Sequence, residues 1–341
     1  MKTIYTSKHK RHATSSVIYD GHPFITEEIP ERAELILKAI QSAEIGAILP
    51  PQDYGIEPIL AVHRPDFLDY LKNAFQNHQQ LFETDEPVIP HTFAVSSRAR
   101  KPNSFIGQRG YYSYGTGTPI LEGTWEAAYW SAQTALTAAD LVLQGERACY
   151  ALCRPPGHHA AAALYDGSCF LNNAAIAAQY LLKSSPRVAI LDIDYHHGNG
   201  TQEIFYSNSD VLFCSLHGHP DEAYPYFWGM QEETGEGAGK GTNVNFPLPP
   251  GTQDGEYLKT LDAALQIIAD YQPGFLVVSA GFDLVKGDPI GAFDISVRGL
   301  ALISSKIASL ELPTVIVQEG GYLMDKLGSL AATFLVNFHR N

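Results

Sequence analysis

Four short apolar runs in this 341-residue chain end abruptly in polar or glycine-rich residues: CYALC before RPPGHH, RVAIL before DIDYHHGNG, FLVV before SAGFD, and TVIV before QEGGY. Runs of that length, apolar without alternation and bounded by turn residues, read as parallel strands covered on both faces. Ligands of open α/β sheets bind beyond the carboxyl ends of the strands. The four polar tips are therefore expected to meet at one crevice. Helical patterns lie between such runs: 30–43 with Pro30 in its first turn, 65–80, and 124–144 with Thr124 as cap and Gly145 as stop. This alternation gives an α/β fold. No repeat at fixed period interrupts it, and motifs from Arg154 through Tyr322 that share one pocket belong to one domain, 1–341.

With 45% hydrophobic and 18% charged residues, the chain has the balance of a soluble protein with a large core. A net charge of −14, from 23 Lys plus Arg against 37 Asp plus Glu, argues against nucleic acid or an anionic membrane surface as partner and leans weakly towards cations. The opening MKTIYTSKHKR has no apolar signal core, and no apolar run approaches the roughly 18 residues that span a bilayer. Cys149, Cys153, Cys169 and Cys214 form no CxxC pair and sit among apolar residues, as buried thiols of a reducing compartment would. A cytoplasmic protein is expected.

The strand ending at Asp192-Ile193-Asp194-Tyr195-His196 is expected to send Asp192, Asp194 and His196 to one side by its period of two. Two of these can grip one ion. Asp283 of SAGFD, from another strand tip, completes a three-ligand site, Asp194, His196 and Asp283, with positions left for water and substrate. Imidazole nitrogen favours zinc, while the carboxylates also suit iron or manganese. The tandem His158 and His159 follow a rigid proline turn, and an imidazole near neutrality can take a proton from activated water and return one to a leaving amine. Asp192 can orient one ring. Tyr322 follows two glycines that can aim it into the crevice, where its phenol would donate to a developing oxyanion.

RPPGHH, DIDYHHGNGTQEIFY, SLHG, VSAGFD with GDP after it, and EGGY stand in the order and approximate spacing of the histone deacetylase family of zinc amidohydrolases. The chain resembles in particular the acetylpolyamine amidohydrolase branch of that family. The resemblance implies the arginase-deacetylase fold, with a central parallel sheet sandwiched by helices and the active site at the strand C-terminal ends. It also implies zinc on Asp194, His196 and Asp283. His158 matches the histidine paired with a buried aspartate, here Asp192; His159 matches the general base and acid; Tyr322 matches the carbonyl-polarising tyrosine. A potassium ion is implied at Asp192, Asp194, His196, Ser215 and Leu216, and a second near Phe205, Asn208, Val211 and Tyr226. Gly167 and Tyr224 are implied to wall the substrate tunnel. Asn199 stands where many members carry aspartate, and Ser168 where an aromatic is common.

The segment 82–123 has no convincing period and is too long for an ordinary connection. Its aromatics, Phe93, Phe105, Tyr111, Tyr112 and Tyr114, suggest an ordered surface that packs on something. The resemblance makes it an insertion that supports a homodimer and narrows the active-site mouth. Carboxylates that hold the substrate's ammonium in the branch correspond here to Ile106 and Gly117, which carry none. The expected reaction is hydrolysis of a small acetylated amine such as an acetylpolyamine, with deacetylation of acetyl-lysine in a protein or peptide as the nearest alternative. A binuclear manganese ureohydrolase would want more carboxylates, and a binding module without turnover would not need every chemical group retained.

Overall fold

The computed structural model describes all residues except Ser15, Asp20, Ser97 and Asn341. Its strands are β1 Lys2–Ile4, β2 Ser16–Tyr19, β3 His22–Ile25, β4 Ile48–Leu49, β5 Ala148–Ala151, β6 Val188–Asp192, β7 Val211–Gly218, β8 Asn243–Leu248, β9 Phe275–Ala280 and β10 Thr314–Gln318. Eight form one sheet in the order β4-β1-β5-β10-β9-β6-β7-β8, every neighbouring pair parallel, while β2 and β3 make a separate hairpin. The four tips marked in the sequence belong to β5, β10, β9 and β6, which are adjacent at the centre. The chain leaves β5, builds outward through β6, β7 and β8, then returns to insert β9 and β10 between β5 and β6. Such a change of direction opens the crevice where α/β sheets bind ligands.

The helices are α1 Glu31–Ser42, α2 Glu57–Leu60, α3 Pro65–Phe82, α4 Phe105–Tyr111, α5 Thr124–Leu143, α6 Asn173–Leu181, α7 Asn199–Phe205, α8 Asp254–Tyr271, α9 Val297–Ala308 and α10 Leu327–Arg340. Along β6, Ala189 and Leu191 join the core under α1, α8, α9 and α10, whereas Val188 and Ile190 join the core under α3, α5 and α6. β9 and β10 divide their residues in the same way, Val278 against Val277 and Ile316 against Val315. Two helical layers therefore cover the sheet, and its central strands are apolar up to their tips because neither face meets water. All four cysteines are free and buried. Among the described residues, no helix is long and apolar enough to cross a membrane.

Expected helices 30–43, 65–80 and 124–144 appear as α1, α3 and α5. Thr124 is the first helical residue rather than the cap, and its hydroxyl accepts the Leu121 N–H at 2.7 Å. The segment 82–123 is more built than its sequence suggested. Val88 and Ile120 exchange two backbone hydrogen bonds across its base, and α4 lies within it. Of its aromatics, Tyr112 is fully buried and donates to Asp66 at 2.9 Å and Phe93, Phe105, Tyr111 and Tyr114 are half-buried, while Phe82, Val95, at 94% exposure, and Ile106 are turned outward.

Candidate active site and metal centre

β6 stops at Asp192, so the expected alternation through Asp194 to His196 does not hold. A turn stabilised by carboxylates replaces it. Asp192 Oδ1 accepts the Asp194 N–H at 3.1 Å, and Asp194 Oδ1 accepts the His196 N–H at 2.9 Å. Aspartates bond readily to the backbone two residues on, and here that habit turns the chain towards β9. Asp194, His196 and Asp283 gather with their ligand atoms within 4.8 Å of one another. His196 Nδ1 faces Asp194 Oδ1 at 3.2 Å and Asp283 Oδ2 at 3.1 Å. The outer oxygens are occupied: Asp194 Oδ2 accepts the Gly320 N–H at 2.8 Å, and Asp283 Oδ1 accepts the Tyr195 N–H at 2.9 Å.

This donor set fits a divalent cation. Burial alone would lower the His196 pKa, but Asp194 and Asp283 outweigh it and raise the ring to about 10. Two buried carboxylates therefore face this ring nitrogen, a negative nest that an ion with nitrogen and oxygen preferences would satisfy. Gly320 is required by close approach, since a Cβ there would lie 2.5 Å from Asp283 Oδ2 and 2.6 Å from Asp194 Oδ2. A second gathering, His158, Cys169 and Glu319, also comes within metal-ligand reach. Its groups are already committed, because Glu319 Oε2 accepts the Gly157 and His158 N–H groups at 2.7 and 3.2 Å and His158 Nδ1 faces Asp192.

The tandem histidines are shifted in opposite directions by their surroundings. His158 Nδ1 lies 3.0 Å from Asp192 Oδ2, and although burial would lower this ring, Asp194 and Asp192 together raise it to about 10. His159 is pushed well below its ordinary range by burial and by the positive His158 and His196 rings. Asn199 Nδ2 donates to the Tyr114 hydroxyl at 3.2 Å, which turns Asn199 Oδ1 towards His159 Nδ1 at 2.7 Å. His159 must then carry its proton on Nδ1 and keep a lone pair on Nε2. A neutral asparagine fixes this tautomer without adding the negative charge of an aspartate.

Tyr322 sits at the β10 tip with its ring over the Arg32 guanidinium, 4.5 Å from the guanidinium carbon. Its N–H donates to Asp288 Oδ2 at 2.7 Å, and Gly321 before it takes φ +114°. Only one of the two glycines therefore uses a left-handed angle; Gly320 is needed for space. The Tyr224 ring stands perpendicular to His159 at 4.9 Å, and its hydroxyl donates to Asp166 Oδ2 at 3.2 Å. Gly167, at φ +58°, lies between them, where a side chain would strike the His159 ring and come within 3.0 Å of the Tyr224 hydroxyl.

Asp192 and Ser215 are partners across β6 and β7, so the tips implied for potassium are adjacent, with Ser215 Oγ 2.8 Å from His217 Nδ1. At the second implied position, the Asn208 carbonyl accepts from Thr242 Oγ1 at 2.9 Å, while Tyr226 lines the mouth of the site beside Tyr224. Several residues gained roles that no motif announced. Glu319 ties the β10 tip to the β5 tip, Asp288 holds the backbone of Tyr322, and the Tyr114 hydroxyl donates to the His159 carbonyl at 3.1 Å. Glu319 was visible inside EGGY, but its partners lie 162 and 161 residues away.

Residues 26–337 match the family model of the histone deacetylase domain. Over 342 residues the chain is 43% identical to acetylpolyamine amidohydrolase 1 of Pseudomonas aeruginosa, with 99% of each chain covered. It is 40% identical over 336 residues to acetylpolyamine amidohydrolase of Mycoplana ramosa, with 98% of each covered. The crystal structure of acetylpolyamine aminohydrolase from Burkholderia pseudomallei superposes with a TM-score of 0.91 at 38% identity, covering 99% of this chain and 98% of that one.

Proposed function

The chain belongs to the histone deacetylase family, and from that premise we propose that it hydrolyses the amide of an acetylpolyamine or a similarly small acetylated amine. It is a deacetylase-type amidohydrolase, as its relatives over nearly the whole chain are. One observation carries the assignment of residues: Asp194, His196 and Asp283, gathered closely enough to hold a cation, share the site with His159, whose Nδ1 faces Asn199 Oδ1 and leaves Nε2 for the reaction. We read 1–341 as one catalytic domain.

Asp194, His196 and Asp283 would hold zinc, or iron or manganese in its place, and the ion would polarise the amide carbonyl and lower the pKa of a water. His159 takes a proton from the attacking water at Nε2 and returns one to the departing amine nitrogen. Asn199 keeps Nδ1 protonated throughout. His158, paired with Asp192, stands next to His159 as a second imidazole facing the reaction, and the Tyr322 hydroxyl donates to the oxygen that becomes negative. Gly167 and Tyr224 wall the approach. Potassium is proposed as a structural ion at Asp192, Asp194, His196, Ser215 and Leu216, and the 82–123 insertion as the rim of the site and the base of a homodimer. Acetyl-lysine in a peptide is the second reading, favoured by Gly117, which faces open space within the mouth.

Acetate release from acetylputrescine, acetylspermidine and an acetyl-lysine peptide separates the two substrates. Alanine at Asp194, His196 or Asp283 should abolish both bound metal and turnover, and Tyr322→Phe should lower kcat by about 10² to 10³. Full turnover after complete chelation would remove the metal from the mechanism, and an unchanged Tyr322→Phe enzyme would remove the phenol.

A further inference from the structure

Above the catalytic crevice lies a cavity of about 1100 Å³ whose charged lining groups are Arg64, Asp166 and Glu203. Arg64 is already neutralised, donating from Nε and Nη2 to the two oxygens of Asp66 at 3.0 and 2.8 Å. Asp166 is 5% exposed, takes the Tyr224 hydroxyl on Oδ2, and completes no hydrogen bond on Oδ1. Glu203 is open to the cavity's solvent, and its carboxylate has no hydrogen bond or ion pair with any described residue. Enough protein nevertheless surrounds it for burial to push its carboxyl upward, with no neighbouring cation to offset this.

α7 sets the place of Glu203 relative to the chemistry. Asn199, which holds His159, and Glu203 are four residues apart on that helix, so they share a face about one turn, roughly 5.4 Å, apart. Among small, aliphatic and hydroxyl residues, the wall carries Phe93, Tyr114, Tyr224, Tyr226, Phe227 and Trp228. Ring faces attract ammonium groups, and protein walls strengthen that attraction by excluding water. A half-desolvated carboxylate without a partner is stabilised by whatever cation enters beside it. Ile106 lies outside the lining and Gly117 carries no side chain, so neither supplies charge there.

We propose that Glu203, backed by Asp166, receives the free ammonium of the acetylated amine in this aromatic vestibule and sets the preference for cationic over neutral acetylated amines. This rests on the reading of the substrate as a small acetylated amine. The two can be tested apart by measuring kcat/KM for acetylputrescine and for N-butylacetamide, which keeps the acetyl group and the carbon chain but lacks the charge. The parent enzyme should favour acetylputrescine, and less so at high salt. In Glu203→Gln the ratio of the two kcat/KM values should fall about tenfold, through KM for acetylputrescine. Asp166→Asn should lower the same ratio. A parent without preference for the charged substrate would overturn the substrate reading and this assignment together. A parent with that preference, undiminished in Glu203→Gln or lost equally on both substrates, would overturn the Glu203 assignment alone.

Discussion

At His63 both ring nitrogens are committed: Nδ1 faces the Ala161 carbonyl at 3.0 Å and Nε2 accepts the Asn172 N–H at 2.9 Å. A second proton would set donor against donor. Burial, only partly opposed by the carbonyls of Ala161 and Ala162, lowers the ring to about 4. The unfolded chain binds that proton near pH 6.5, so the stabilisation is complete above this value and declines as pH falls towards 4. Between pH 7 and pH 5 the parent should lose up to about 2 kcal/mol from this residue. His63→Gln keeps a donor and an acceptor but does not titrate; equal losses in urea unfolding of both proteins over that range would refute the account. Nothing in the sequence around His63 announces this. Asp194, His196, Asp283, His158 and His159 were legible because their residue types are costly to bury without a purpose and stand in local motifs. The partners of His63, like those of Glu319 and Asp288, come from distant segments, and only the fold brings them together.

The strand tips are held to one another by charge as well as by the sheet. Glu28, 4% exposed, accepts from Arg32 Nη1 at 3.0 Å and from Arg154 Nε and Nη2 at 2.8 and 3.0 Å. Arg32 in turn donates to the carbonyls of Gly321 and Glu319 at 2.8 Å each, and Arg154 to those of His9 and His12, also at 2.8 Å. One carboxylate thereby fixes the β10 tip bearing Tyr322 and the β5 tip bearing His158 and His159. Burial raises the Glu28 carboxyl, but Arg154 and Arg32 outweigh it and hold it below the usual range. Removing its charge leaves two guanidinium groups uncompensated in the interior. Glu28→Gln should cost about 3–5 kcal/mol, read as a lowered denaturant midpoint, and reduce turnover in the fraction that stays folded. A midpoint within error of the parent would show that water or backbone carbonyls already satisfy both arginines. At this scale the central strands were plain in the sequence, since being covered on both faces makes them uniformly apolar. Their neighbours were not: which strand lies beside which depends on packing against helices, and the Asp192 end of β6 depends on side-chain bonds that a period of two does not capture.

The segment 82–123 links local packing to the shape of the whole protein. Its length set it apart in the sequence, but its contacts did not, because an aromatic residue without periodicity can point either way. In the structure Tyr112, Val88 and Ile120 are core residues, so the base of the segment cannot be removed without opening the interior. The apex is different. Phe93, Ala94, Val95, Ser96 and Ala99 line the vestibule, and Val95 is also the most exposed large apolar side chain among the described residues. An apex that forms one wall of the mouth and presents an unpaired aliphatic group suits both proposed tasks, narrowing the site and meeting a second copy of the chain. Replacing residues 95–100 with two glycines shortens the apex and leaves the Val88–Ile120 base intact. The parent is expected to sediment as a dimer and the shortened protein as a monomer, with the rate on an acetyl-lysine peptide rising relative to acetylputrescine. A monomeric parent would end the dimer proposal. A shortened protein that stays folded, with the parent's assembly and the parent's substrate ratio, would show that the apex neither narrows the mouth nor joins two copies.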